Sequence, residues 1–313
     1  MKIAGVNRTR RKTPPKAYAG VVSSDAGKFW RSDIVSSLVS AALREDLGAG
    51  DVTSRLTVGP RARARAVLLA RQPGVAAGLP LFRRVFLSLD PRVRVSILVS
   101  EGAVFKPGAV LARLEGPARA LLGAERVALN FAQRLCGVAT LTRSFVLAAR
   151  ARSGRVLVLD TRKTTPLLRV LEKYAVAVGG GTNHRMGLHD AVLIKDNHIK
   201  AAGSVEHAVR LARKGGLSVQ VEVEDTVELE GALVAGADSV LLDNFGPSAL
   251  RGAVARVHAF GRARGRRIET EASGGITLEH IGEYAATGVD RISVGALTHS
   301  ASALDLSMEF KPA

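Results

Sequence analysis

The chain has 313 residues, 47% of them hydrophobic, and a formal net charge of +17, enough apolar material for one large core or two moderate ones. No apolar run approaches the roughly 20 residues of a membrane span, and the basic N-terminus lacks the apolar stretch of a secretory signal, so a cytoplasmic location is expected. A single cysteine, Cys136, excludes an intramolecular disulfide framework and any multi-cysteine zinc site.

Residues 1–31 carry eight cations against one acid, Asp25, together with Thr13-Pro14-Pro15. With no apolar period, residues 1–30 read as a basic, disordered tail. An acid-poor, arginine-bearing leader also fits organelle targeting, although no amphipathic helix is apparent in it. Ser32-Asp33-Ile34 followed by Val35, Leu38, Val39, Ala42 and Leu43 predicts a capped amphipathic helix ending near Gly48. From Arg61 to Gly116 the texture changes to short β-like runs at 66–70 and 93–99. Turn signals punctuate them at Gln72-Pro73-Gly74, Lys106-Pro107-Gly108 and Glu115-Gly116-Pro117. This is a first domain of α+β type.

Val127, Phe131, Leu135, Val138 and Leu141 at helical spacing predict a long helix over 118–150, with Cys136 in its core face. Beyond it, strands and helices alternate. The strand at 157–159 ends in Asp160, 191–194 in Lys195, 219–223 in Glu224 and 240–242 in Asp243. The last two, 268–272 and 292–294, end in Ser273-Gly274-Gly275 and Gly295-Ala296. Six short apolar strands separated by helices imply a parallel sheet with right-handed crossovers. A barrel is favoured over an open doubly wound sheet, because every strand delivers a polar or glycine-rich element at its C-terminal end. No G-x-G-x-x-G follows the first strand, so the dinucleotide fingerprint is missing. With six strands rather than eight, the fold class is α/β with an incomplete parallel barrel.

The strand ends carry the chemistry. Arg162, Arg185 and Lys195, with Lys163 and His184 nearby, are placed to converge over one mouth. Arginine's planar fork matches a carboxylate or phosphate and lysine adds a compact charge, so the set suits a small dianion or a phosphorylated sugar. The competing reading has these cations pair with Asp160, Asp190 and Asp196 in structural salt bridges. Glu222 and Glu224 share one strand face, and Asp243 closes the next strand. Such acids hold sugar hydroxyls or a hydrated Mg2+. Asp225-Thr226 reads as the cap of the following helix, which frees Glu224. The glycine-rich ends at Ser273-Gly274-Gly275 and at Gly295 through His299 lead toward helix starts and suit phosphate.

A run of ordered segments carries a family resemblance. It begins with Leu43-Arg44-Glu45-Asp46-Leu47, Gly50-Asp51-Val52-Thr53, Glu125-Arg126-Val127-Ala128-Leu129-Asn130 and Gly137-Val138-Ala139-Thr140. It continues with Asp160-Thr161-Arg162-Lys163-Thr164-Thr165-Pro166, Gly181-Thr182-Asn183-His184-Arg185 and Leu193-Ile194-Lys195-Asp196-Asn197-His198. Glu222-Val223-Glu224, Leu242-Asp243-Asn244-Phe245, Glu271-Ala272-Ser273-Gly274-Gly275-Ile276 and Ser293-Val294-Gly295-Ala296-Leu297-Thr298-His299 complete it. Over nearly the whole chain after the tail, these segments resemble quinolinate phosphoribosyltransferase, the decarboxylating nicotinate-nucleotide pyrophosphorylase of NAD biosynthesis.

The resemblance implies an N-terminal α/β sandwich domain over 31–130, onto which 299–313 packs back, and a catalytic barrel over 131–298. It implies a homodimer, or an assembly of dimers, with shared active sites, in which Arg126 reaches the neighbouring subunit's quinolinate. Arg162, His184, Arg185 and Lys195 would line the quinolinate pocket, with Lys163 between it and the diphosphate. Glu224 and Asp243 would take the ribose hydroxyls and Mg2+. Lys163, Ser273, Gly274, Gly275, Gly295 and His299 would surround the phosphates of phosphoribosyl pyrophosphate (PRPP). Lys163, Glu224 and Asp243 are the expected catalytic group, with Lys163 the first choice for assisting decarboxylation. The pattern departs in the basic tail and in a somewhat short stretch between Glu224 and Asp243, which leaves both strand ends intact.

Two other readings compete. A same-fold phosphoribosyltransferase resembling the molybdenum-locus protein ModD would take another anionic substrate, but retention of the full cation set favours quinolinate. A monocarboxylate such as nicotinate needs fewer cations. A basic nucleic-acid-binding protein would explain the charge, but not the acids and glycines at successive strand ends. Aromatic residues are only 4%, too few for stacking platforms, so neither nucleic acid nor membrane is expected as a partner.

Overall fold

The structure is a computed structural model and describes residues 26–312. Most of the basic tail therefore lies outside the described residues. Its end is not the expected tail. Ala26–Trp30 forms a short helix, α1, because Phe29 stacks on Tyr174 at 5.5 Å and Trp30 meets the same ring edge-on at 4.6 Å. Two aromatic side chains give that turn something to bury against.

The N-terminal part follows as α2 (Asp33–Leu47), α3 (Val52–Thr57), β1 (Arg63–Ala70), β2 (Gly74–Val75), α4 (Leu79–Leu89), β3 (Arg94–Ile97), β4 (Val104–Phe105) and β5 (Val110–Pro117). Helix α2 starts where the sequence predicts and ends at Gly48 with φ 49°, but Ser32 makes no side-chain cap bond. Its carbonyl instead accepts the Ser36 hydroxyl at 2.8 Å. On β1 alternate residues Ala64, Ala66, Leu68 and Ala70 are buried, the period-two signature of a sheet packed on one face. That face lies against α5 (Ala118–Arg150), the predicted long helix to the residue, on which α4 also packs, with Phe82 and Phe86 wholly buried.

Helix α5 is continuous through 130/131, so the expected domain division falls inside one element. Its first turns belong to the N-terminal core and its last turns to the barrel. Gly137 sits midway, where an added Cβ would strike the Ser302 carbonyl. The close pass lets the C-terminal segment cross α5, held by Gln133 Nε2 donating to the Leu306 carbonyl at 2.8 Å. That segment ends in β12 (Leu306–Pro312), which pairs antiparallel with β1 from Ala70↔Leu306 to Ala64↔Pro312. The resulting four-stranded sheet runs β12-β1-β5-β3, with β2 and β4 a separate pair.

The C-terminal part alternates as β6 (Leu157–Leu159), α6 (Arg169–Val178), β7 (Val192–Ile194), α7 (Asp196–Ala202), α8 (Val205–Arg213), β8 (Val219–Val223), α9 (Thr226–Ala235), β9 (Ser239–Asp243), α10 (Pro247–Ala263), β10 (Glu269–Ser273), α11 (Ile281–Ala285), β11 (Arg291–Ser293) and α12 (Ala296–His299). Its six parallel strands lie in the order β6-β11-β10-β9-β8-β7, an incomplete α/β barrel. Central strands are buried almost throughout, as Val219 to Val223 and Ser239 to Leu242 show. Helices on the outer face and side chains on the inner face leave them no contact with water. All six strand ends face one mouth, because parallel strands share a direction. No helix of the described residues is long and apolar enough to cross a membrane.

Candidate active site

The mouth is built on the loops after β6 and β7, on the strand ends of β8 and β9, and on the turns after β10 and β11. The acids proposed as partners for its cations are engaged elsewhere. Asp160 is fully buried and pairs with Lys173. Asp190 accepts the Met186 and Gly187 amides at 2.7 and 3.1 Å, and Asp196 takes Lys200 at 3.3 Å. Among the described residues Arg162, Lys163 and Arg185 have no acid within ion-pair distance, whereas Lys195 is paired with Glu222. Burial and the like charge of Arg162 push the Arg185 guanidinium below its ordinary value, against the pull of Asp190 and Glu222. Two arginines side by side without a counter-ion are stabilised by whatever anion enters.

The loop that carries Arg185 is fixed from below by α6. Lys173 donates to Asp160 and, at 3.0 Å, to the His184 carbonyl. Asp160 in turn accepts Asn183 Nδ2 at 2.6 Å and the His184 amide at 2.9 Å. Glu172, one residue before, takes Arg134 of α5 at 2.7 Å and the Thr165 hydroxyl at 2.7 Å. Tyr174, one residue after, donates to Glu101 of the N-terminal part at 2.7 Å. Burial raises the Glu101 carboxyl against the hydrogen bonds from Tyr174 and the Gly78 and Leu79 amides. Three consecutive buried polar residues thus hold three segments. Arg169, on the same helix, spans the rim by donating to Thr164 Oγ1 and the Met186 carbonyl, both at 3.0 Å.

The ring of His184 faces inward. Its Nδ1 accepts the Arg185 amide at 2.7 Å, and its Nε2 lies 3.5 Å from Glu271 Oε1. In this conformation neither ring nitrogen is presented to the mouth.

At the acidic strand ends, Asp225 caps α9 by accepting the Val227 and Glu228 amides at 2.8 Å. That leaves the Glu224 carboxylate exposed and, among the described residues, without a hydrogen bond or ion pair. Asp243 lies in register with Ser273 and accepts Asn244 Nδ2 at 2.8 Å. Among the described residues no group of three or more His, Cys, Asp or Glu forms a metal site. Two carboxylates at neighbouring strand ends do fit an Mg2+ that keeps waters and brings its own phosphate oxygens.

The glycine-rich ends differ from the expected pair of helix starts. After β10 the chain turns through Gly274 and Gly275 at φ 101° and 56°, well before α11. Two successive positive-φ glycines leave their amides unscreened by any Cβ, a turn suited to an anion rather than a helix terminus. A Cβ at Gly274 would collide with the side-chain oxygen of Asn244, so the two loops are interlocked. After β11, α12 is only four residues long. A Cβ built on Gly295 would lie 3.0 Å from the Lys163 stem and 3.1 Å from His299 Nε2, and Thr298 Oγ1 donates to the Lys163 carbonyl at 2.7 Å. Lys163, Gly295 and His299 are therefore one cluster beside the Ser273 turn.

Arg126 stands apart. It is exposed on α5, and among the described residues no hydrogen bond or ion pair joins it to this mouth.

Comparison with known proteins gives a consistent result. The quinolinate phosphoribosyl transferase N-terminal domain matches residues 51–136 and the C-terminal domain residues 138–309. A Bacillus subtilis protein named a probable nicotinate-nucleotide pyrophosphorylase (carboxylating) is 42% identical over 278 residues, 88% of this chain and 93% of its own. The human nicotinate-nucleotide pyrophosphorylase (carboxylating) is 41% identical over 279 residues, 88% of this chain and 91% of its own. The solved nicotinate-nucleotide pyrophosphorylase of Francisella tularensis superposes with a TM-score of 0.82 at 40% identity, covering 89% of this chain and 96% of that one.

Proposed function

This chain belongs to the quinolinate phosphoribosyltransferase family, and from that premise we propose how its mouth performs the reaction. The enzyme transfers phosphoribosyl from PRPP to quinolinate with decarboxylation, giving nicotinate mononucleotide, diphosphate and CO2 in de novo NAD biosynthesis. The observation that carries the site assignment is the set of cations left without acids, Arg162, Lys163 and Arg185.

Quinolinate's two carboxylates lie against Arg162, Arg185 and Lys195, and Lys195 is already half-neutralised by Glu222. Lys163, with the Ser273-Gly274-Gly275 turn, Gly295 and His299, takes the phosphates. Glu224 and Asp243 take the ribose hydroxyls and hold Mg2+, which when bound neutralises charge on the leaving diphosphate. The pyridine nitrogen forms a bond to ribose C1 as the C1–O bond to diphosphate breaks. No covalent nucleophile is needed, since position and fixed charge lower the barrier. The nitrogen is then cationic, so the bond to the 2-carboxylate can break with its electron pair left at C2, and a proton takes that place as CO2 departs. A pocket with one of its lysines paired to Glu222 grips two carboxylates without over-stabilising the one that leaves. Lys163, at the border of the two subsites, is our choice for the group that assists this step.

The reading is tested with purified protein, Mg2+, PRPP and quinolinate. Nicotinate mononucleotide and CO2 are expected in equal amounts, with none when Mg2+ is chelated or nicotinate replaces quinolinate. A folded protein that makes neither would transfer the assignment to another anionic substrate.

We place Arg126 in the site of a neighbouring subunit of a cytoplasmic homodimer. The exposed Leu122 one turn before it, and Leu167 and Leu188 at the rim with 83% and 72% exposure, support a covered mouth. Mixing inactive Arg126→Ala and Arg185→Ala subunits is expected to restore up to about a quarter of wild-type activity, the statistical share of intact shared sites. No recovery despite demonstrated subunit exchange would place each site within one subunit.

A further inference from the structure

Glu271 sits in the middle of β10 with 1% of its surface exposed, directly beneath the loop that carries the cations. Its Oε2 accepts Gln220 Nε2 at 2.8 Å. Among the described residues its Oε1 is buried without a hydrogen-bond partner, and His184 Nε2 lies 3.5 Å from it. Burial works to raise this carboxyl, yet contacts from His184, Gln220 and Ser293 hold it below the ordinary glutamate value. A buried carboxylate kept ionised, with one oxygen unspent, calls for a donor.

The donor's state follows from the other side of the ring. A peptide N–H can only donate, so the Arg185 amide at 2.7 Å requires a lone pair on His184 Nδ1. The ring proton then sits on Nε2 and points at Glu271. We propose that Glu271 is a positioning residue for quinolinate, fixing His184 in the Nε2–H tautomer so that Nδ1 holds the Arg185 amide and aims its guanidinium into the mouth. His184 acts through Arg185 rather than as a cation gripping a carboxylate. The guanidinium is steadied at its far end by the Ala191 carbonyl at 3.1 Å, so both ends of Arg185 are defined. The inference rests on the assignment of Arg185 to quinolinate.

Glu271→Gln tests it without changing volume. The KM for quinolinate is expected to rise about tenfold, the scale of losing one hydrogen bond to a charged group, while the KM for PRPP is unchanged. Asparagine at 184 keeps an acceptor close to the Nδ1 position and no longer needs Glu271. On a His184→Asn background, Glu271→Gln should therefore leave the quinolinate KM unchanged. Equal changes in both KM values, no change in either, or full additivity in the double variant would overturn the proposal and leave Glu271 a packing residue. A nitrogen-15 spectrum of the wild-type histidines, with His184 assigned by its loss in His184→Asn, gives a reading independent of variant folding. An unprotonated Nδ1 and protonated Nε2 are expected, and the opposite tautomer would end the idea. Wild-type turnover with an unshifted Glu271→Gln KM removes this inference alone, whereas an unshifted KM in Arg185→Ala removes the pocket assignment beneath it.

Discussion

Arg185→Ala is expected to lower kcat/KM for quinolinate about a thousandfold, the ~4 kcal/mol typical of losing one member of a partly buried ionic contact. The protein should remain folded. Arg185 is held where burial and Arg162 both disfavour its charge, and among the described residues its guanidinium makes one hydrogen bond, to the Ala191 carbonyl. Removing it relieves repulsion, so the melting temperature should hold or rise while turnover collapses. This opposition of stability and activity is what separates a substrate ligand from a structural salt bridge. A variant with near-normal kcat/KM would place the dicarboxylate elsewhere. A variant that lost both stability and activity would make Arg185 part of the scaffold.

The second large effect is one of stability. Lys173→Met should destabilise the protein by about 3–5 kcal/mol, because it leaves Asp160 buried with its charge unpaired. Burial pushes Asp160 up and Lys173 down, each countered by the other's charge, so the pair holds its place only as a pair. Adding Asp160→Asn to Lys173→Met removes the second charge and should return part of the lost stability in a thermal or urea melt. Activity should not return with it, since Asp160 and Lys173 together hold the Asn183 side chain and the His184 backbone. A Lys173→Met protein that melted like wild type would show that the pair is solvated or dispensable.

The strand ends were legible in the sequence because short apolar runs stop abruptly at polar or glycine residues, and a parallel sheet makes such stops coincide in space. Helix α5 was legible to the residue for a similar reason, an apolar stripe sustained over many turns between Pro117 and Arg150. Glu172, Lys173 and Tyr174 were not. Three consecutive residues share no single helix face, and nothing local says that Arg134, Asp160 and Glu101, distant in sequence, wait to meet them. Glu271 likewise stood inside a matched motif, with no signal that its strand buries it under His184. Arg169 and Asn244 escaped for the same reason, since their partners are loops that only the fold brings near. The helix start expected after β10 failed through a specific competitor. Two glycines with positive φ close a turn before any helix can begin. The aromatic anchor at Phe29 and Trp30 was hidden by the charge of the residues before it.

The pairing of β12 with β1 has a consequence for how the protein comes into being. Strand β1 leaves the ribosome early, yet the strand that covers its edge is made only after the whole barrel. Throughout synthesis that edge offers unpaired amides and carbonyls to any neighbour. The closing strand thus seals the first domain with residues that follow the whole barrel in sequence, and a chain truncated before β12 keeps its earliest sheet open. That open edge is a template on which another chain can pair, so β12 acts as the sheet's guard against association as well as its last strand.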